Sequence, residues 1–480
     1  MGHVAVLVVL IGAFALLYVD RRWFPKLSPG GMLPLIWAFI LGSRPISTWL
    51  NPYEMLNEGA GGNLEGSPLD RNYYLAMIAA GIVVLVRRRV ELGKFLRDNL
   101  WITLYFGYFL VSCFWSDYPF VSLKRWIKDA GHLVMIMIIL TEGKPADAIK
   151  AVVVRAAYFL LPLSWVLIQW FSDLGRAYNR WTGVVTYTGV AGNKNLLGIM
   201  LAAVGICLVW AVIDAWSDRR HPQRRQQLVI YSILLLFMLW LLGKAESATA
   251  LACTCIGSAI IVVVRKEGIR RRIRGLGITI ATLGTLLVVT GAWSALQASA
   301  IQMLGRDPSL TGRSDIWESV LREKTNPLIG VGYYSFWTGD RLTRVSEGYY
   351  YVLNEAHNSY LETYLDGGLI GVFILAMLLA TNLLRHMKYL QEGELDGGHA
   401  FGIAIGIVAA IYGCTESIFS RLDLIWFVLL LTASRYVPAA ATARQALANT
   451  DTAARPRFGT IGRTPPRRQR PREETNTRRL

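Results

Sequence analysis

The sequence is short of charge, and shorter still of acid. Only 17% of its 480 residues are charged, and 33 Asp and Glu face 50 Lys and Arg. With 53% hydrophobic residues and a mean hydropathy of +0.37, an ordinary soluble domain of this size is excluded. Cysteine is equally sparse: Cys113, Cys207, Cys253, Cys255 and Cys414 all lie in or beside apolar runs. A disulfide framework or a metal site is therefore not expected, and the CxC at Cys253 and Cys255 reads as small buried helix residues. The short alternating segments of an outer-membrane barrel are missing. The apolar N-terminus carries no small-residue cleavage site followed by a soluble domain, so 4–19 reads as a first span and not as a removed signal. No internal repeat has a convincing period, which weighs against a transporter built from inverted repeats.

What the chain has instead is a series of apolar runs of about 16 to 22 residues, the length that crosses a ~30 Å hydrocarbon core as helix. The expected fold class is an all-α polytopic membrane protein with about 12–14 transmembrane helices. Candidate spans fall at 4–19, 31–50, 72–86, 99–114, 130–141, 150–170, 195–214, 228–243, 247–264, 275–296, 368–385, 400–417 and 422–437. The formal charge of +17 is concentrated in short clusters between spans. Arg21, Arg22 and Lys26; Arg87 to Arg89, Lys94 and Arg97; Arg219, Arg220, Arg224 and Arg225; and Arg265 to Arg274 occupy alternate connections, which assigns them to the cytoplasmic side. Topology thus accounts for the basic excess, and nucleic acid is not expected as a partner. The domain order that follows is spans 1–10 over 1–296, an extracytoplasmic loop over 297–367, spans 11–13 over 368–437, and a disordered basic cytoplasmic tail over 438–480, close to anionic lipid.

Chemistry is expected in the stretch 310–371, which mixes arginines, carboxylates, aromatics and one histidine. A helix is predicted from about Arg313 to Lys324 with Thr311 as a possible N-cap. A second is predicted from near Asn354 through His357 and Glu362 to the break at Gly367 and Gly368. His357 can act as acid or base near neutrality, or it can be an interfacial residue satisfied by Asn354 or Glu355. No second histidine or cysteine stands at ligand spacing, which disfavours zinc. Arg313, opening a helix, can grip a phosphate bidentately or pair with Asp315 or Glu318. The outside segment 115–129 keeps Lys124, Arg125 and Lys128 against the positive-inside rule; these can bind a lipid diphosphate or ordinary anionic headgroups. Lys194, beside Asn195 at the start of the seventh span, is another phosphate candidate, with snorkelling as the alternative. Lys244 and Glu246 at the next outside turn need partners at that depth, and Arg44 needs one such as Glu54.

Six motifs in order resemble the O-antigen ligase and polysaccharide polymerase superfamily, with its exopolysaccharide polymerase branch. They are WSDYPFVSLKRWIKD from Trp115, TGVAGNKNLLG from Thr188, ESATAL from Glu246, GRSDIW from Gly312, NPLIGVGYYSF from Asn326 and AHNSYLETYLDGGLIG from Ala356. The resemblance implies a C-type glycosyltransferase-like enzyme of the bacterial inner membrane, working at its extracytoplasmic face. Its donor would be a polyprenyl-diphosphate-linked glycan and its acceptor a glycan or lipid, with no cofactor and no metal. It further implies Arg313 at the donor diphosphate and His357 at the reaction centre. Lys194, Arg125, Lys124 and Lys244 would be diphosphate ligands, and Asn358, Glu355, Glu246 and Asn195 would support them. Ligases of the family often carry arginine after the serine that matches Ser247; here that place is Ala248. Polymerisation of repeat units is the leading expectation, with transfer to a lipid A core acceptor and a glycan transporter as alternatives.

Overall fold

In hydrocarbon every backbone N–H and C=O must be satisfied within its own segment, so apolar runs become helices. The structure, a computed structural model, describes residues 1–24, 27–51, 66–178, 183–277, 313–349, 352–393 and 397–436. The helices that carry the fold are α1 (Gly2–Asp20), α2 (Met32–Leu41), α3 (Ile46–Leu50), α4 (Pro68–Arg87), α5 (Leu92–Asp98), α6 (Leu100–Ser112), α7 (Pro119–Leu140), α8 (Pro145–Trp170) and α9 (Ser172–Gly175). They continue as α10 (Lys194–Ser217), α11 (Arg224–Ala245), α12 (Ala248–Val263), α13 (Arg313–Arg322), α14 (Gly339–Ser346), α15 (Ser359–Gln391), α16 (Gly397–Tyr412) and α17 (Leu424–Ala433). A small antiparallel ribbon, β1 (Arg176–Tyr178) and β2 (Val185–Tyr187), pairs Arg176 with Tyr187.

Among the described residues, α1, α4, α8, α10, α11 and α15 are long and apolar enough to cross a membrane, and α2, α6, α12, α16 and α17 are shorter apolar helices. The chain is an all-α multi-pass membrane protein. Helices α8 and α10 are buried along most of their length, whereas α1 exposes Leu7, Val8, Ile11 and Phe14. An apolar face that large is stable only against lipid or a partner. Helix α10 packs on α11 and α12, α12 on α16, α16 on α15 and α17, and α15 on α6.

Three expectations are corrected. Residues 119–129 belong to α7, because Pro119 at its first turn starts a helix that continues unbroken to Leu140. Lys124 and Arg125 are thus helix residues and not loop residues. The second helix of the polar stretch starts at Ser359, not near Asn354, because Asn358 has extended backbone and caps it. Arg44 takes no carboxylate: it donates to the carbonyls of Val190 (3.0 Å), Leu174 (2.5 Å), Gly189 (2.9 Å) and Ala191 (2.8 Å). It thereby fixes the turn that precedes α10. Thr311, Lys26, Glu54, most of the predicted 275–296 span and the 438–480 tail lie outside the described residues.

Helix α15 is broken at Gly368, where φ is 61° and ψ is −163°. The break frees backbone groups on both sides, and the loop 326–333 takes them up. Val331 and Gly332 donate to the carbonyls of Leu365 and Asp366 at 2.9 Å each. Leu369 and Ile370 donate to the carbonyls of Pro327 (2.9 Å) and Leu328 (3.1 Å). The Tyr108 hydroxyl reaches the Gly367 carbonyl at 2.6 Å, and the Ser112 hydroxyl accepts from the Tyr333 N–H at 3.0 Å. A Cβ at position 368 would overlap the Leu328 backbone in a conformation that only glycine adopts readily. Gly368→Ala should therefore destabilise the protein by at least ~1–3 kcal/mol, read as a lower thermal unfolding midpoint in detergent. An unchanged midpoint would show that this joint does not hold the loop.

Candidate functional site

Asn358 turns the chain into α15: its Oδ1 accepts from the N–H groups of Tyr360 (3.0 Å) and Leu361 (3.1 Å). The residue before it, His357, has a left-handed φ of 50°, an uncommon conformation for a side chain of this size. The imidazole sits between two carboxylates. Its Nδ1 lies 3.2 Å from Glu416 Oε2 and 3.2 Å from Glu355 Oε1. The other oxygen of Glu416 accepts from Arg313 at 2.8 Å, and Arg313 also donates to the Thr415 carbonyl. Arg313 is held in place because Ile316 and Val320 of α13 are buried in a small apolar cluster with Phe336, Leu353 and Leu365. The Trp317 indole adds a hydrogen bond to the Ala356 carbonyl at 2.8 Å.

A second layer lies beneath. Glu362, on the first turns of α15, accepts from the Ala356 N–H (2.5 Å) and the Trp337 indole (2.8 Å), and its carboxylate is 3.6 Å from Arg421. Arg421 bonds to the Tyr334 hydroxyl and stacks over that ring at 4.6 Å. Arg125 lies over the same ring at 5.3 Å and donates to the Tyr334 carbonyl at 2.7 Å. The Ser359 hydroxyl donates to the Glu416 carbonyl at 2.7 Å, which fixes the 413–420 turn to α15. Tyr334 and Ser420 share the left-handed backbone of His357, at φ 55° and 56°. Backbone strain of this kind concentrates at functional sites.

Electrostatics at His357 are a contest. Burial pulls its pKa down, the Glu416 hydrogen bond and the charges of Glu355 and Glu416 push it up, and Arg313 opposes them; the net shift is upward. Ionised carboxylates only accept hydrogen bonds, so Nδ1 carries the proton between them. Nε2 makes no hydrogen bond among the described residues. Burial pulls Arg421 down, but the neighbouring Tyr334, Glu362, Glu355 and Asp366 outweigh it and raise its pKa further, so it stays charged at any working pH. Glu355, His357 and Glu416 present three ligand atoms within 4.8 Å of one another, a donor set that a divalent cation could use. The Arg313 guanidinium already neutralises Glu416 from the other side, which lowers the attraction for a second cation.

Of the residues singled out from sequence, the structure brings Arg313, Glu355, His357 and Asn358 together, with Arg125 in the adjoining layer. Lys124 is half-buried one residue earlier on α7. Lys194 and Asn195 open α10 behind the Asn193 cap. Lys244 lies over the rings of Tyr187 (5.4 Å) and Trp240 (5.9 Å), and Glu246 is a left-handed C-cap of α11. Lys244 and Glu246 immediately precede α12, whose cap Ser247 neighbours Tyr412 on α16, close to Glu416. Sequence reasoning missed Glu416 and Arg421, and it gave Glu362 only as a helix residue and Tyr334 only as part of an aromatic run that suits an interfacial belt or a sugar-stacking platform. Glu416 and Arg421 were legible in principle: charged residues in a short break between two apolar runs are costly there unless they have a task.

A family profile described as O-antigen ligase matches residues 230–376, from α11 through the broken turn of α15. The chain is also similar to the exopolysaccharide production protein ExoQ of Rhizobium meliloti (strain 1021). The two are 25% identical over 332 residues, which cover 65% of this chain and 71% of ExoQ.

The raised pKa of His357 has a checkable cause. Removing one negative charge by Glu416→Gln should lower it, and Glu355→Gln should do the same, both read by NMR titration of labelled histidine. The imidazolium stabilises the fold below its ordinary value of ~6.5, and that stability fades as pH rises through the raised folded value. Variants that titrate like the wild type would show that these carboxylates do not set the histidine's charge.

Proposed function

Starting from the membership of this chain in the O-antigen ligase and polysaccharide polymerase superfamily, we propose that it transfers glycan from a polyprenyl-diphosphate-linked donor and so polymerises polysaccharide repeat units. The observation that carries this is the Arg313, Glu416, His357 and Glu355 cluster, with Arg421 and Arg125 next to it. In such a transfer an acceptor hydroxyl attacks the anomeric carbon of the donor sugar. A C–O bond forms, the C–O bond to the diphosphate breaks, and polyprenyl diphosphate leaves. The enzyme must take a proton and hold developing negative charge.

His357 takes the acceptor proton on Nε2, while Glu416 and Glu355 hold its tautomer through Nδ1 and stabilise the imidazolium that forms. Arg313 meets the donor diphosphate and is balanced by Glu416 until the donor arrives. Arg125 and Arg421 are further diphosphate ligands, and Lys124, Lys194 and Lys244 with Asn195 and Glu246 line the approach. The cations suffice for a leaving group that is already good, so we infer a metal-independent reaction. The site faces the extracytoplasmic side of the bacterial inner membrane, because the densest basic connections lie at the other helix ends.

The name of ExoQ favours exopolysaccharide production for this chain. The description of the matched family favours a second reading, transfer of glycan to a lipid A core acceptor. Purified protein in lipid, given labelled polyprenyl-diphosphate oligosaccharide, separates them: a product ladder without acceptor means polymerase, and product only with the lipid acceptor means ligase. No product in either arm, with label crossing the bilayer, would replace both with transport.

His357→Ala should lower turnover by ~10²–10⁴-fold while expression and fold persist, and Arg313→Lys should spare binding more than Arg313→Ala. The rate should rise with pH through the raised His357 pKa, and Glu416→Gln should move that midpoint to lower pH. Full turnover in folded His357→Ala protein, or loss of activity on chelation of divalent cations, would overturn the respective assignment.

A further inference from the structure

At the end of the bundle opposite His357, the start of α6, the end of α15 and the end of α17 enclose a cavity of about 260 Å³. Its wall carries three guanidinium groups, Arg97, Arg385 and Arg435, against one carboxylate, Asp98. None of the three arginines has a carboxylate within ion-pair reach among the described residues. Arg385 gives one hydrogen bond to the Thr432 carbonyl at 2.8 Å, and Arg435 gives one to the Asp98 carbonyl at 3.1 Å. A guanidinium has five N–H donors in a fork that fits phosphate, so three such groups on one wall can grip an anion together. Arg385 and Arg435 also lie close enough for their charges to repel each other, an arrangement that an anion between them would relieve.

The other wall is apolar. Leu100, Trp101 and Leu378 line the cavity, and beside it Leu100 and Phe373 are exposed on the surface that faces lipid. Trp101 packs edge-on to Phe373 at 6.0 Å, the place and residue type of an interfacial anchor. A free phosphate has no use for that wall, but an acyl chain does. We propose that this cavity binds the phosphate headgroup of an anionic glycerophospholipid, with its acyl chains along α6 and α15. Basic pockets between membrane helices take such headgroups on charge and shape together. The site is independent of the glycan-transfer reading, since it shares no residue with the His357 cluster.

The test uses the full chain purified in detergent and stripped of lipid, probed by native mass spectrometry and thermal unfolding. The probes are dioleoyl phosphatidylglycerol, dioleoyl phosphatidylcholine and inorganic phosphate. Wild type should retain phosphatidylglycerol and be stabilised by it alone. The Arg97→Gln/Arg435→Gln double variant changes two exposed side chains and should fold; it should bind phosphatidylglycerol at least tenfold more weakly, in line with the contribution of each basic residue near an anionic headgroup. Arg385→Gln should act in the same direction. An Arg219→Gln/Arg220→Gln variant, which removes two exposed charges elsewhere, should bind as wild type. The proposal fails if Arg97→Gln/Arg435→Gln binds like wild type, if Arg219→Gln/Arg220→Gln loses as much, or if phosphatidylcholine or inorganic phosphate stabilises equally.

Discussion

A helix that breaks at the edge of a bilayer leaves carbonyls and N–H groups with no water to take them, and the break at Gly368 sets that problem for the whole functional end of this protein. The loop 326–333 solves it by running alongside the break and pairing on both sides of it. Because the loop is consumed in this way, its aromatic continuation has a fixed place. Tyr333 packs against Phe109 and donates to Asp129 at 3.2 Å, and Tyr334 turns its ring to Arg421 and Arg125. The first turns of α15 in turn present Ser359 and Glu362 to the 413–421 turn.

The charges of the site depend on that frame. Glu416 touches Arg313 with one oxygen and His357 with the other, so one carboxylate holds a guanidinium and favours the charged form of an imidazole. Half-buried, such a triad is costly if any member is left alone, which ties α13, the turn before α15 and the turn after α16 to one another. Tyr334 gathers two arginines: Arg421 and Arg125 both lie over its ring, one bonded to its hydroxyl and the other to its carbonyl.

Deeper in the bundle the polar groups are structural. Asp20 and Arg155 form a buried two-point ion pair at 2.8 and 2.9 Å, and the Trp37 indole donates to His132 at 2.9 Å. Arg44 spends its guanidinium on backbone carbonyls before α10. Each charge there is matched to a fixed partner, in contrast to the arginines around the cavity between α6, α15 and α17.

By itself the sequence determined the membrane class and most of the long apolar helices, and it marked Arg313 and His357 as candidates. Apolar length and glycine or proline breaks are local signals, and a bilayer leaves a run of about 20 apolar residues little choice but helix. It also marked the motifs at Asn326 and Ala356, without revealing that they are the two sides of one joint. Only the tertiary structure decided that. Glu416 and Arg421 stand some 60 residues beyond His357 in the chain, inside what reads as the edge of two spans, and nothing local pairs them with it. Whether Lys124 and Arg125 lie on a loop or a helix, and whether Arg44 meets a carboxylate or a carbonyl, turned on which segments pack together. Hydrogen-bond partners of buried charges are chosen by packing across the chain, and that choice has no period to read.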